Sequence, residues 1–353
     1  MDLAENTGNG ADTADHEAQS ADAGPGGGIV DVTILGAGPT GLFGAFYAGM
    51  RTMSVKIIDA LEEAGGQLTA LYPEKYIYDA PGFPKVVAKD LVKMLVEQAC
   101  QWNPDLRLGE RVLNLDRAEE GHWVLTTDKG QHLTRTIVIC AGVGAFAPNK
   151  LVAPGVIELE GVGVHYFVKE KAAFKDKSLL IVGGGDSAVD WALNLQGVAK
   201  SITLIHRRDE FRAHESSVTE MKNSPVTILT PYEVKVVSGN GKIEQVTIFH
   251  NKTKEETTLD VDAILVNIGF KADIGPIREW GLTLDSRGRA IAVNSRMETN
   301  LPGVYAAGDI AAEEVKMNLI ATGYGQAAMA VNVAKNFIDP KASIFPGHSS
   351  EKM

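Results

Sequence analysis

Gly36-Ala37-Gly38-Pro39-Thr40-Gly41 spaces three glycines as G-x-G-x-x-G directly after an apolar, β-branched run at residues 29–35. After a strand, the first glycine permits a tight turn, the second lets backbone approach a pyrophosphate, and the third allows close helix packing. The helix that follows, with Thr40 in its first turn, stabilises phosphate charge at its N-terminus. Asp59 lies 23 residues after Gly36, at the end of a second β-branched run, where a carboxylate can accept hydrogen bonds from a ribose. The glycines alone also fit a turn without a ligand. Strand, glycines, helix and acid in register mark a dinucleotide site.

The pattern returns 147 residues later. Gly183-Gly184-Gly185-Asp186-Ser187-Ala188 is the G-x-G-x-x-A form, after a run at 178–182 and before a helix expected over 186–196 and a strand over 201–205. At the position that matches Asp59, the chain reads His206-Arg207-Arg208. A carboxylate there would repel a 2′-phosphate, whereas guanidinium forks bind it through charge-assisted hydrogen bonds, so this second site should prefer NADPH to NADH; an Arg pair alone also fits a solvated strand end, and its place in the repeat register favours the phosphate.

The elements that must hold these loops repeat as well. Each unit continues into alternating runs broken by turns, 123–127 before Asp128-Lys129-Gly130 and 233–237 before Gly239-Asn240-Gly241 with 244–249 after it. These read as small β-meanders. Each leads to a buried strand ending in glycine, at 136–141 and 263–267. A strand at 304–307, Gly308-Asp309 and a helix over 319–337 have no counterpart in the second unit, which makes the first domain discontinuous. The expected division is an acidic tail over 1–28, a first nucleotide-binding domain over 29–147 and 290–338, a second over 148–289, and an extension over 339–353.

Composition excludes several classes. At 353 residues the chain suits two domains, and its 44% hydrophobic and 22% charged residues are those of a soluble α/β protein with no membrane-spanning run. Residues 1–28 hold six acids, no Lys or Arg and a glycine-rich end, so they read as a disordered tail and as neither a signal peptide nor a packed element. The remaining chain carries 39 of the 45 acids against 34 bases, which offers no global basic field for nucleic acid. Cys100 and Cys140, forty residues apart in apolar surroundings, form no disulfide framework, metal site or Cys-x-x-Cys pair, which points to the cytoplasm. The eight histidines show no metal-ligand spacing, and His165 and His250 read as partly exposed residues. Asp209, Glu210 and Arg212 read as a solvated helix start, with Arg212 a weaker phosphate candidate. Lys169, Lys171, Lys175 and Lys177 form a positive run that fits either solvent or an acidic protein.

Two nucleotide units followed by Gly308-Asp309 resemble flavoproteins with FAD in the first unit and NADPH in the second. The segments Gly183–Ala188, His206-Arg-Arg-Asp-Glu-Phe-Arg212 and Val304-Tyr-Ala-Ala-Gly-Asp309 are similar to the low-molecular-weight thioredoxin reductases. Those enzymes carry a Cys-x-x-Cys pair before the second glycine loop, where this chain reads Val164-His-Tyr-Phe-Val168. Gly65-Gly-Gln67-Leu-Thr-Ala-Leu-Tyr72, Ala80-Pro-Gly-Phe-Pro and Phe345-Pro-Gly-His348-Ser-Ser350 resemble instead the type-2, thioredoxin-reductase-like ferredoxin-NADP+ reductases. That resemblance implies two Rossmann-like dinucleotide-binding domains of three-layer ββα type, usually paired as a homodimer.

It also implies FAD contacts at Asp59, Gln67, Tyr72, Val112, Phe146, Asp309 and Ser350, with His348 covering the flavin ring from the other subunit. Val112 and Phe146 equally suit an ordinary core. The implied reaction is hydride transfer between NADP(H) and FAD and single-electron transfer between FAD and ferredoxin or a flavodoxin-like carrier, with no side chain acting as general acid, base or nucleophile. Two other readings stay open: a disulfide reductase working with external thiols, which the missing cysteine pair opposes, and a nonenzymatic NADPH-binding redox sensor.

Overall fold

The computed structural model describes residues 28–315 and 317–347, and residues 145–147 and 272 by their backbone alone. The tail expected over 1–28 therefore lies, apart from Gly28, outside the described residues, as do His348 and Ser350.

Short β-branched runs form two parallel sheets. In the first, Asp105–Leu108, Val55–Asp59, Val30–Leu35 and Gln131–Ile139 lie side by side in that order, all parallel. Gln131–Ile139 is longer than the expected strand. Its first half pairs antiparallel with Trp123–Thr127, which pairs in turn with Val112–Arg117, and its second half pairs in parallel with Val304–Ala306. Helix α1 (Pro39–Met50) follows the first strand, and α2 (Gln67–Leu71) and α3 (Ala88–Cys100) follow the second. The second sheet orders Val164–His165, Ala263–Asn267, Ser178–Gly183, Ser201–Ile205 and Thr227–Leu229, again parallel. It carries α4 (Asp186–Asn194) and α5 (Glu215–Lys222). Tyr232–Ser238, Gln245–His250 and Glu256–Asp260 form a separate antiparallel meander, one strand longer than the sequence suggested.

The period-two alternation of strand side chains divides each unit into three layers. In the first, Ile34 and Ile57 pack against Leu42, Leu91 and Val331 of the helices, while Leu35, Ile58 and Ile139 pack against Trp123 and Leu125 of the meander. The second repeats this, with Leu179 and Ile181 against Trp191 and Met221, and Leu180 and Val182 against Val246 and Ile248. Helix α6 (Ile320–Ile338) lies on the helical side of the first unit, and its first N–H donates to Asp79 Oδ2 at 2.8 Å. The segment after α6 is pinned by Arg51, which donates to Asn332 Oδ1 at 2.6 Å and to the Ser343 carbonyl at 2.8 Å.

The chain crosses between the units twice, and the two passages, Ala145–Pro148 and Phe270–Asp273, pair antiparallel. Ile274, Ile277, Trp280 and Leu282 already belong to the first unit's core beside Ile137 and Val304. They precede the return expected at residue 290, because an apolar segment without a helix or strand period gave no sign of which core it joins.

Two further expectations change. Residues 206–214 are a loop, not a helix start: Phe211 stacks on His206 at 5.4 Å and Arg212 N–H donates to the Gly184 carbonyl at 2.7 Å, so α5 begins only at Glu215. Cys100, at the end of α3, is exposed, while Cys140 is buried. Among the described residues, no helix is long and apolar enough to cross a membrane.

Candidate functional site

Gly36 has φ +112°, and a Cβ on it would lie 2.4 Å from the Cys140 carbonyl oxygen. A Cβ on Gly41 would lie 1.9 Å from the Gly36 carbonyl oxygen, so only glycine lets α1 start against its own loop. Gly38 faces open space, with nothing within 4 Å of where its Cβ would stand. It caps α1 with no side-chain hydrogen bond, Pro39 follows, and the first turn holds no acid. The start of α1 is thus left to bind an anion, which fits a pyrophosphate.

Asp59 closes this loop. Its Oδ2 accepts the Ala37 N–H at 2.6 Å and its Oδ1 the Leu61 N–H at 2.8 Å. Burial raises its pKa and the two backbone bonds oppose that rise. A cleft of about 500 Å³ opens beside it, within the range of small-molecule and cofactor sites. Arg111 and Val112 stand near the Asp59 end, where Glu110 N–H donates to the Asp59 carbonyl at 2.9 Å. Gly36, Gly38 and Thr40 line the cleft, together with Gln67, Tyr72 and Asp309. Burial, then the charges of Asp309 and Asp79, push the Tyr72 hydroxyl up to about 12, so it stays protonated near neutrality and can donate.

The cleft also takes Gly142, the glycine that ends the strand expected at 136–141, and Asp79, Ile274, Ile277 and Trp280 from segments that the sequence did not single out. Asp79 and the 274–280 segment have no local motif. Gly142 and Gly144, both with positive φ after a buried strand, did carry a usable signal. Phe146 lies in the strand Ala145–Pro148 opposite Ala272, and its side chain is outside the described residues.

Beneath the Asp59 end lies a buried polar chain. Lys56 Nζ donates to His132 Nδ1 at 3.0 Å and pairs with Asp105 at 3.5 Å. On its other side, His132 Nε2 meets Glu110 Oε1 at 2.6 Å, and Thr127 Oγ1 donates to the same oxygen at 2.6 Å. With Nδ1 facing the Lys56 ammonium, Nε2 is the ring nitrogen placed to donate to Glu110. Burial alone would raise the Glu110 carboxyl, but Thr127, His132 and Arg107 together hold it below the usual range.

The second loop repeats the first. A Cβ on Gly183 would lie 2.3 Å from the Asn267 carbonyl oxygen and 3.0 Å from the Ala188 Cβ, as Gly36 does against Cys140. Gly185 caps α4 and faces open space. Asp186, in the first turn, has its carboxylate engaged by the His214 N–H at 2.9 Å. His206 does not project from the strand end as its neighbours do: its half-buried ring packs on Gly184, where a Cβ would meet it at 2.3 Å. Burial, reinforced by Arg208, Arg207 and Arg212, lowers its pKa. Arg207 and Arg208 are exposed and make no ion pair among the described residues, while nearby Asp209 is already paired with Lys252 at 2.7 Å. The loop therefore presents uncompensated cations, a fit for an added phosphate.

The two sites meet. A second cavity of about 210 Å³ is lined by Gln67, Tyr72 and Lys75 from the first unit and by Ser187, Trp191 and Asn267 from the second. Gln67 and Tyr72 thus line both cavities. The buried Asn267 Oδ1 has no hydrogen-bond partner among the described residues. Lys75 pairs with Asp190 of α4 at 2.6 Å across the same junction.

Paired glycine loops on two ββα units that share a cavity at their junction define a nucleotide-dependent oxidoreductase. The chain belongs to the pyridine nucleotide-disulphide oxidoreductase family, whose model matches residues 30–334. It is 54% identical over 327 residues to ferredoxin-NADP reductase 2 of Sulfolobus acidocaldarius, covering 92% of this chain and 98% of that protein. It is 52% identical over 326 residues to the ferredoxin-NADP reductase of Thermus thermophilus, covering 91% and 97%. Among solved structures it superposes on the thioredoxin reductase of T. acidophilum with a TM-score of 0.73 at 28% identity, covering 88% of this chain and 99% of that one.

Proposed function

We propose that this chain passes a hydride between NADP(H) and FAD and single electrons between FAD and a ferredoxin or similar small carrier. The observation that carries the reading is that Gln67 and Tyr72 of the first cleft also line a cavity with Ser187 of the second glycine motif, with arginines free of ion pairs among the described residues on the loop after the next strand. Bound FAD supplies the step from a two-electron donor to a one-electron acceptor.

The chain's own residues bind and orient. Asp59 receives the adenosine ribose of FAD, with Val112 beside it. The first turn of α1, from Gly38 through Thr40 to Gly41, holds the pyrophosphate, Asp309 the polyol or pyrophosphate, and Gln67 and Tyr72 the ring end. Gly183, Gly185, Ser187 and Ala188 seat the NADP(H) pyrophosphate, and Arg207 and Arg208 hold the 2′-phosphate. His206 supports the loop from beneath. Phe146, His348 and Ser350 remain part of the proposed FAD site.

The chain acts as a cytoplasmic homodimer. Its first domain comprises residues 29–147 and the returning segment, whose start we move from 290 to the paired strand Phe270–Asp273. The segment over 339–353 crosses to the other subunit's flavin. An internal disulfide relay is excluded by the cysteines themselves: Cys140 is buried with its thiol pushed up to about 12, Cys100 is exposed, and the chain has no third. Purified protein should be yellow and hold one FAD per chain. Colourless protein that cannot be reconstituted with FAD would contradict the reading.

A further inference from the structure

One wall of the first cleft has the build of a docking face for an electron carrier. Residues 76–79 alternate: Ile77 and Asp79 line the cleft, while Tyr76 and Tyr78 face solvent, Tyr78 with 70% of its surface exposed. The same short stretch of chain therefore faces the cleft on one side and solvent on the other. The segment is held from several sides. Tyr76–Ile77 pairs with Val86–Val87, Asp79 accepts the N–H that starts α6, and Lys75 pairs with Asp190 of the second unit.

This wall belongs to the end of the cleft away from Asp59. Tyr72 feels the charges of Asp309 and Asp79 there, and Gln67 and Tyr72 open into the second cavity. If Asp59 marks the ribose end, this end holds the redox-active ring. Electron tunnelling falls steeply with distance, so a protein acceptor gains by seating on a wall whose alternate residues line the cleft and face solvent.

The outer face has the chemistry of an interface. Tyr76 and Tyr78 are joined by exposed Phe83 from the following loop. Tyrosine and phenylalanine bury well at interface cores, and tyrosine keeps a polar tip for the rim. Two lysines flank Tyr76, Lys85 with Nζ 4.7 Å from the ring centroid and Lys171, from the second unit, at 6.0 Å. Neither makes an ion pair among the described residues. The other charges nearby are mixed. Lys75 is matched by Asp190 and Lys89 by Glu74, and Asp90 and Glu170 also act on Lys89. Lys93 and Lys169 are exposed and unpaired among the described residues. The cationic excess thus gathers around the exposed rings, on a chain whose formal net charge is −11.

We propose that an acidic electron-carrier protein docks on the face formed by Tyr76, Tyr78, Phe83, Lys85 and Lys171, and takes electrons through the 76–79 wall. The proposal rests on the reading that a ferredoxin is the acceptor. Complementary charge would steer the encounter and fix its register, and the exposed rings would supply the contact that desolvates it.

The test uses the flavin-loaded full chain with Lys85→Glu and Lys171→Glu combined, and separately Tyr78→Ala. None of these residues lines either nucleotide cavity. The charge variant should raise the KM and the directly measured Kd for a net-negative ferredoxin about tenfold at low salt, and flatten their salt dependence. Reduction of a small neutral quinone by NADPH should not change. Tyr78→Ala should weaken ferredoxin binding without altering its salt dependence. Unchanged ferredoxin binding in both variants would overturn the docking face. So would a change in oligomeric state with ferredoxin binding intact, which would assign the face to a second copy of this chain. A wild-type protein that reduces the quinone but no ferredoxin would instead overturn the reading beneath it.

Discussion

The Asp59 carboxylate accepts the Ala37 N–H at 2.6 Å, tying the end of one strand to the glycine loop that follows its neighbour. The same side chain lines the nucleotide cleft. It therefore shapes the loop and faces the ligand with one group. Asp59→Ala should weaken FAD binding at least tenfold, because a hydrogen bond to a charged group contributes about 1.5–3 kcal/mol. Titration of apoprotein with FAD, followed by flavin fluorescence, measures it. An unchanged affinity would remove Asp59 from the site.

Arg207 and Arg208 stand free of carboxylate partners among the described residues, so their charge is available to a ligand. Changing both to Ala should raise the KM for NADPH and leave that for NADH in place. Each charged bond lost contributes about 1.5–3 kcal/mol, roughly ten- to a hundredfold. Equal losses for the two nucleotides would show that these arginines do not read the 2′-phosphate.

The loops, their strands and Asp59 were legible in the sequence because each lies within one contiguous strand-turn-helix unit. Most strand limits shifted by a residue at most, but the strand expected from residue 136 begins at Gln131, since hydrogen bonding to Trp123–Thr127 extends pairing past the apolar run. What was not legible comes from distant partners. Trp280 joins the first core and the first cleft without any local pattern, and Lys75 meets Asp190 across 115 residues. His206 read as one of three cations, yet its ring is turned under Gly184 by contacts with Phe211 that no spacing reveals. The lysine run at 169–177 looked uniform in sequence, and only the fold sets the half-buried Lys171 apart by bringing it to Tyr76.

Cys100→Ser with Cys140→Ser should preserve NADPH-driven reduction of ferredoxin. The buried Cys140 position would lose about 1–3 kcal/mol of stability from its new hydroxyl. Loss of electron transfer in a folded, flavin-loaded double variant would return the cysteines to the mechanism.

The buried Lys56, His132 and Glu110 chain makes stability depend on pH. The Glu110 carboxyl is held below its ordinary 4.5, so its contribution is full above that value and fades as pH falls through the folded-state pKa. Glu110→Gln should cost about 1–3 kcal/mol at neutral pH and lose less than wild type on acidification. Urea midpoints between neutral pH and about pH 3 compare the two, and parallel curves would contradict the assignment.

The central claim is that one chain couples a two-electron nucleotide donor to a one-electron protein acceptor through a flavin. Anaerobic rapid mixing tests it most directly: the FAD-loaded protein is mixed first with NADPH and then with oxidised ferredoxin. The account predicts bleaching of the flavin absorbance on NADPH addition, then its return as the ferredoxin is reduced. NADPH binding without bleaching, or a bleached flavin that no ferredoxin can reoxidise, would contradict it.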